Sequence, residues 1–312
     1  MARLATYLLC VIVAFSLQSC APVTAPMGLE QASPILHEDF FTTSDGLSLP
    51  YRHWDAAKPK AIIVALHGMS DYSRAFEMPG PYWASEGITT YAYDQRSFGK
   101  SPNPGDWPGA QAMRQDFCDF IEAVRARHPG VPVFGLGESM GGAVVLTSLT
   151  QNHQPHLDGV ILVAPAVWSR SDMPFYYRVA LWLTAHTFPA MTVSGKGLKI
   201  WPSDNIEMLR QNARDPLFQK QTRADAVWGL VNLMDEARKA PLALKSTPPM
   251  LVVYGEKDQI IPRAPTEAVV KELGARAEVH VYPKGYHMLL RDLSGKIVWK
   301  DIEAFVEKTS AK

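Results

Sequence analysis

Six short runs rich in apolar and β-branched residues recur along the chain: 60–66 (KAIIVAL), 88–93 (ITTYAY), 131–136 (VPVFGL), 159–163 (GVILV), 250–254 (MLVVY) and 277–282 (AEVHVY). They are close to continuous rather than alternating, as expected of strands buried on both faces, and burial on both faces is what a parallel sheet demands. Helix-length stretches lie between them. In 109–127, Phe117, Phe120, Ile121 and Val124 recur at helical spacing. Strands alternating with helices predict an α/β fold, a mostly parallel, doubly wound sheet flanked by helices. At 312 residues, 47% of them apolar, the chain can fill such a core.

The alternation fails between 167 and 241. A connection of about 75 residues is too long for an ordinary loop and must have structure of its own. It contains Trp168, Phe175, Tyr176, Tyr177, Trp182, Phe188, Trp201 and Trp228. A largely helical insertion is expected there.

The N-terminus reads as an address. Arg3 precedes an apolar run from 4 to 17, roughly 14 residues where a membrane-spanning helix needs about 20. That suits the apolar region of a signal peptide. Leu17-Gln18-Ser19-Cys20 then looks like a bacterial lipobox, whose cysteine is lipidated and becomes the first mature residue. Ordinary signal cleavage with an incidental Cys20 is the alternative. The expected division is a signal peptide over 1–19, the lipidated cysteine and a proline-bearing tether over 20–36, and one domain over 37–312. Ala21 after the cysteine resembles the outer-membrane sorting pattern, so the expected location is the bacterial cell envelope, anchored by lipid and facing the periplasm.

Composition narrows the partners. Thirty-one basic and 31 acidic residues leave no cationic surplus for nucleic acid. Three cysteines make no disulfide framework, and Cys118 reads as a buried small hydrophobe on a helix. No metal-ligand pattern supports His153 and His156, and no cofactor is expected. Arg96, Lys100 and Arg114 read as scattered surface charge rather than as a basic patch.

The chemistry sits at the strand ends. Gly137-Glu138-Ser139-Met140-Gly141 follows the third run and opens a helix-like stretch. A serine nucleophile on a sharp strand-to-helix turn needs small neighbours, which Gly137 and Gly141 supply. Serine attacks only when a base takes its proton. His287, after the last run, is the candidate base. Asp258, just past 250–254, is the candidate acid holding it, with Glu256 as the rival. The backbone amides of Met69 and Met140 are candidates for the oxyanion hole, and His67 is expected to brace its loop.

These stretches together resemble the α/β-hydrolase superfamily. The closer likeness is to its monoacylglycerol lipase and lysophospholipase-like group, also classed as serine-aminopeptidase-like hydrolases. The resemblance rests on HGMSDYSRAF (67–76), YDQRSFGKS (93–101), GLGESMGG (135–142), YGEKDQIIP (254–262) and GYHMLL (285–290), and it covers about 40–306. It implies Ser139 as nucleophile, Asp258 as acid, His287 as base and Met69 with Met140 as oxyanion donors. Two positions depart from the family pattern: Ser70 and Ser97 stand where glycine is frequent.

The resemblance also implies that 167–241 is a lid. Trp168, Phe175, Tyr176 and Trp182 are its expected substrate-binding residues, unless these aromatics form the lid's own core. The expected function is hydrolysis of carboxylic esters through an acyl-enzyme, on monoacylglycerols or lysophospholipids at a membrane. A serine aminopeptidase, a small-ester hydrolase or a thioesterase on the same residues is the alternative, with Glu138 or Asp204 available to read an amine. A non-catalytic binding lipoprotein is the third reading.

Overall fold

The computed structural model describes residues 21–195, 197, 199–244 and 247–311. The expected signal peptide and Cys20 lie outside them. The strands are β1 (Ile35–Leu36), β2 (Phe40–Thr42), β3 (Ser48–Trp54), β4 (Ala61–Leu66), β5 (Ile88–Tyr93), β6 (Val133–Glu138), β7 (Gly159–Val163), β8 (Thr192–Val193), β9 (Thr222–Arg223), β10 (Met250–Gly255) and β11 (Ala277–Tyr282). The helices are α1 (Pro79–Ser85), α2 (Ala110–Arg127), α3 (Met140–Ser148), α4 (Phe175–Thr187), α5 (Ile206–Arg214), α6 (Ala224–Ala243), α7 (Arg263–Leu273) and α8 (Gly295–Ser310).

All six expected strands form, as β4, β5, β6, β7, β10 and β11. They build the parallel part of a nine-stranded sheet of order β1-β2-β3-β5-β4-β6-β7-β10-β11. Strands β1 to β3 join antiparallel at one edge. These three are not legible in the sequence, because two are only two or three residues long and the third contains Pro50, a residue that argues against a strand.

Residues of β4 alternate between two cores, one on each sheet face. Ile62, Val64 and Leu66 pack with Phe117 and Phe120 of α2, Val144 of α3 and Leu233 of α6. Ala61, Ile63 and Ala65 pack with Trp83 of α1 and Val298 and Ile302 of α8. Both faces are covered, which is why these runs carry no polar alternation. The chain leaves β4 first toward β5 and then crosses to β6 on its other side. Loops at such a switch point diverge and leave a crevice beyond the strands' C-terminal ends.

Between β7 and β10 lie α4, α5 and α6, with the two-residue strands β8 and β9 pairing antiparallel across the segment that carries α5. Helix α6 runs to Ala243 with Pro241 inside its last turn, past the expected boundary.

Two details differ from the sequence reading. Arg96 is not a surface charge: it is buried and forks onto Asp45 through Nη1 and Nη2, 2.7 Å each, and onto Asp116, tying the β2–β3 turn to α2. The stretch expected to be a tether is pinned to the domain. Ala25 N donates to Trp107 O at 2.9 Å, Gly28 N to Asp45 at 2.9 Å, and Gln31 N to Ser44 O at 2.8 Å. Cys118 is buried on α2, and burial pushes its thiol up to about 12.

Candidate active site

Ser139 sits between β6 and α3 with φ 53° and ψ −115°, a strained conformation for a residue with a side chain. The turn is tight enough to require its glycines. A Cβ on Gly137 would lie 2.4 Å from the backbone of Gly141, and one on Gly141 would lie 2.3 Å from Leu66 O. Gly68, after β4, packs against the other side, where a Cβ would meet the Ser139 Cβ at 3.2 Å. The strain is held by backbone bonds: Ser139 N donates to Val163 O, and Ser139 O accepts from Ala166 N, both at 2.9 Å.

The loops after β6, β10 and β11 converge. His287 Nδ1 lies 2.7 Å from Asp258 Oδ2, and His287 Nε2 lies 2.9 Å from Ser139 Oγ. A carboxylate only accepts, so Nδ1 carries the proton and Nε2 is free to accept from the serine hydroxyl. The other oxygen, Asp258 Oδ1, accepts from Ile260 N at 2.8 Å and Ile261 N at 3.0 Å, which fixes the carboxylate plane. Glu256, the rival acid, pairs with Arg263 at the surface. Burial opposes charge on the His287 ring, but Asp258 and then Glu138 outweigh it, and the net effect raises its pKa.

Met140 is the first residue of α3, so its amide is among the helix donors that have no partner within the helix. Met69 borders the same space as Ser139 and His287. His67 lies behind them, fully buried, with Nδ1 on Gly68 O at 2.9 Å and Nε2 accepting from Gln95 N at 3.0 Å. It links the loops after β4 and β5, and burial lowers its pKa and keeps it neutral.

Ser139 opens onto a cavity of about 670 Å³. Its apolar wall comes from the insertion and from the loop after β10: Trp168, Met173, Tyr177, Leu181, Leu230, Met234, Ile260 and Ile261. Its polar side holds Ser70, Gln219, Lys220 and Thr222. Among the described residues, no carboxylate lines it.

Of the four expected substrate-binding residues, only Trp168 borders the cavity. Phe175, Tyr176 and Trp182 are 72%, 65% and 50% exposed and point to the outside of α4. They form neither an acyl pocket nor a core. The inner face is Met173, Tyr177, Leu181 and Ala185, four residues apart along the helix and its entry. The apolar richness of this segment masks its helical phase in the sequence, and that four-residue spacing is the signal that separates the two faces.

Residues 57–294 match the family model described as "Serine aminopeptidase, S33". The chain is similar to the monoacylglycerol lipase of Mycolicibacterium smegmatis, 26% identical over 86% of this chain and 96% of that one. It is also similar to the human monoglyceride lipase, 24% identical over 92% and 96%. Among solved structures, a soluble variant of the Saccharomyces cerevisiae monoglyceride lipase, in complex with a substrate analog, superposes with a TM-score of 0.73. At 18% identity over 92% of this chain and 99% of that one, this likeness bears on the fold alone.

Proposed function

Because the chain belongs to the serine aminopeptidase S33 family of α/β-hydrolases, we propose that it is a serine hydrolase of carboxylic esters, acting on monoacylglycerols and lysophospholipids. One observation carries this reading: the Ser139–His287–Asp258 hydrogen-bonded chain opens onto a cavity that is apolar on the insertion side and, among the described residues, lined by no carboxylate. Such a wall suits an acyl chain.

In the proposed reaction Ser139 Oγ attacks the ester carbonyl as His287 Nε2 takes its proton. Asp258 stays ionised, holds the Nδ1–H tautomer and stabilises the imidazolium. The amides of Met69 and Met140 bind the developing oxyanion, each donor worth roughly 3–4 kcal/mol in the transition state. Collapse releases the alcohol, protonated by His287. Water, deprotonated by the same nitrogen, then frees the acid and restores Ser139.

The aminopeptidase reading needs an anionic group to receive a free amine. Glu138 is buried against Arg291, and Asp204 accepts from Leu293 N outside the cavity, so neither favours it. The exposed apolar face of α4, with Phe175, Tyr176, Val179, Trp182 and Leu183, supports work at a lipid surface. The Leu17–Cys20 motif supports lipid anchoring in the bacterial envelope, and the mass of the mature N-terminus tests it.

The test of substrate class is turnover by the full chain in detergent on p-nitrophenyl esters from acetate to palmitate, a monoacylglycerol and a lysophospholipid. Ser139-dependent hydrolysis that peaks at medium or long chains is expected. Activity confined to acetate would overturn the lipid-ester reading.

A further inference from the structure

A buried charge cluster lies beside the candidate triad without belonging to it. Arg291 ends the 3-10 turn Leu289–Arg291, four residues past His287. It is 4% exposed, and its Nη2 lies 2.6 Å from Asp71 Oδ2 and 3.2 Å from Glu138 Oε2. These two carboxylates are 3% and 2% exposed. Burying an ion pair costs desolvation that a well-packed apolar group of similar volume would not incur, so stability alone does not account for the cluster.

Its placement does. Asp71 is two residues past Met69, Glu138 immediately precedes Ser139, and Arg291 shares the loop of His287. One nitrogen therefore joins the three loops that carry oxyanion donor, nucleophile and base. The Arg291 side chain does not border the acyl cavity. With Asp71 it lines a separate polar cleft of about 210 Å³. The Arg291 carbonyl accepts from Asn205 Nδ2 at 2.9 Å, so the insertion is tied to the same turn.

We propose that Arg291 is a positioning residue, its guanidinium holding Asp71 and Glu138 together so that Ser139, His287 and Met69 keep their spacing. The inference rests on the proposed triad. The charged groups facing Arg291 are Asp71, Glu138 and His287, with Arg74, Glu77 and Glu207 across the polar cleft; His67 adjoins it and is neutral. Glu138 favours charge on His287, and Arg291 opposes it. Both contacts use a single nitrogen, so a lysine ammonium could replace them in part.

The experiment compares wild type, Arg291→Met, Arg291→Lys, Glu138→Gln and the Glu138→Gln/Arg291→Met pair. All are full chains in detergent, measured for kcat, KM, pH profile, melting and fluorophosphonate labelling. Arg291→Met is expected to lose about 10²-fold in kcat, the scale of a misplacement near 1 Å, with KM almost unchanged. Arg291→Lys should recover most of that loss, and the double variant should be more active than Arg291→Met because one fewer carboxylate is left unpaired. Glu138→Gln should move the acid limb of kcat/KM to lower pH.

A folded Arg291→Met with wild-type kcat would overturn the proposal, as would a kcat loss that lysine does not recover. If Arg291→Met does not fold, Glu138→Gln and Arg291→Lys decide: an unmoved acid limb, or a lysine variant with the full loss, overturns it. A wild type that takes no label at Ser139 overturns the triad itself, which distinguishes the two failures.

Discussion

Gly255 and Gly285 meet backbone to backbone: a Cβ on Gly255 would lie 2.2 Å from Gly285 O. Lys257 N donates to that same carbonyl at 2.9 Å. This contact lets the loop after β10 lie against the loop after β11, and so brings Asp258 to within 2.7 Å of His287. Gly255→Ala must push the loops apart. It should destabilise the fold by about 1–3 kcal/mol, as overpacking does, and lower turnover by about 10²-fold through the displaced carboxylate. Thermal melting and kcat on a soluble ester check both; an active variant of normal stability would show that the loops have slack.

The pH dependence follows from His287. Only the neutral ring accepts the serine proton, so kcat/KM should fall as pH drops through its pKa. Burial works against the charged ring, yet Asp258 and Glu138 prevail, and the acid limb should lie above the ordinary histidine value of 6.5. Asp258→Asn removes the largest cause that favours the charged ring. The limb should move down, and turnover should fall by about 10⁴-fold through the wrong tautomer. A limb unmoved by the substitution would point to a different base.

The two faces of α4 should separate in function. Leu181 borders the cavity and Trp182 faces out. Leu181→Trp should shift chain-length preference toward short esters. Trp182→Ala should leave hydrolysis of a dissolved short ester unchanged and weaken action on a dispersed long-chain lipid. The reverse pattern in an ester series would invert the assignment of the faces.

Ser70 and Ser97, the two departures from the family's glycines, both adopt positive φ, 71° and 69°. A left-handed non-glycine residue costs roughly 1–2 kcal/mol, and glycine gives back about 0.4–1 kcal/mol through a freer unfolded chain. Ser97→Gly should therefore stabilise by about 0.5–1 kcal/mol in denaturant titration, with no change in kcat. A destabilised variant would mean that the hydroxyl makes a contact worth more than the strain.

Much of the site was legible because both-face burial makes parallel strands visible as unbroken apolar runs, and each loop that follows a strand has its own signature. Ser139, Asp258 and His287 came from those loops in the right order. Strand β3 was hidden by Pro50, and the inner face of α4 by an excess of aromatic residues that masked the four-residue spacing of Met173, Tyr177 and Leu181. Arg96 and Arg291 could not be found this way. An arginine in sequence looks solvated, and only the fold shows the carboxylates that let it be buried: Asp45 and Asp116 for one, Asp71 and Glu138 for the other.

The central claim is that Ser139 is a nucleophile activated by His287, and the most direct measurement is the intact mass of the protein after exposure to a fluorophosphonate, followed by peptide mapping. The account predicts one adduct, on the peptide containing Ser139, absent from Ser139→Ala and strongly slowed in His287→Ala. An adduct that forms at the wild-type rate in Ser139→Ala would contradict it.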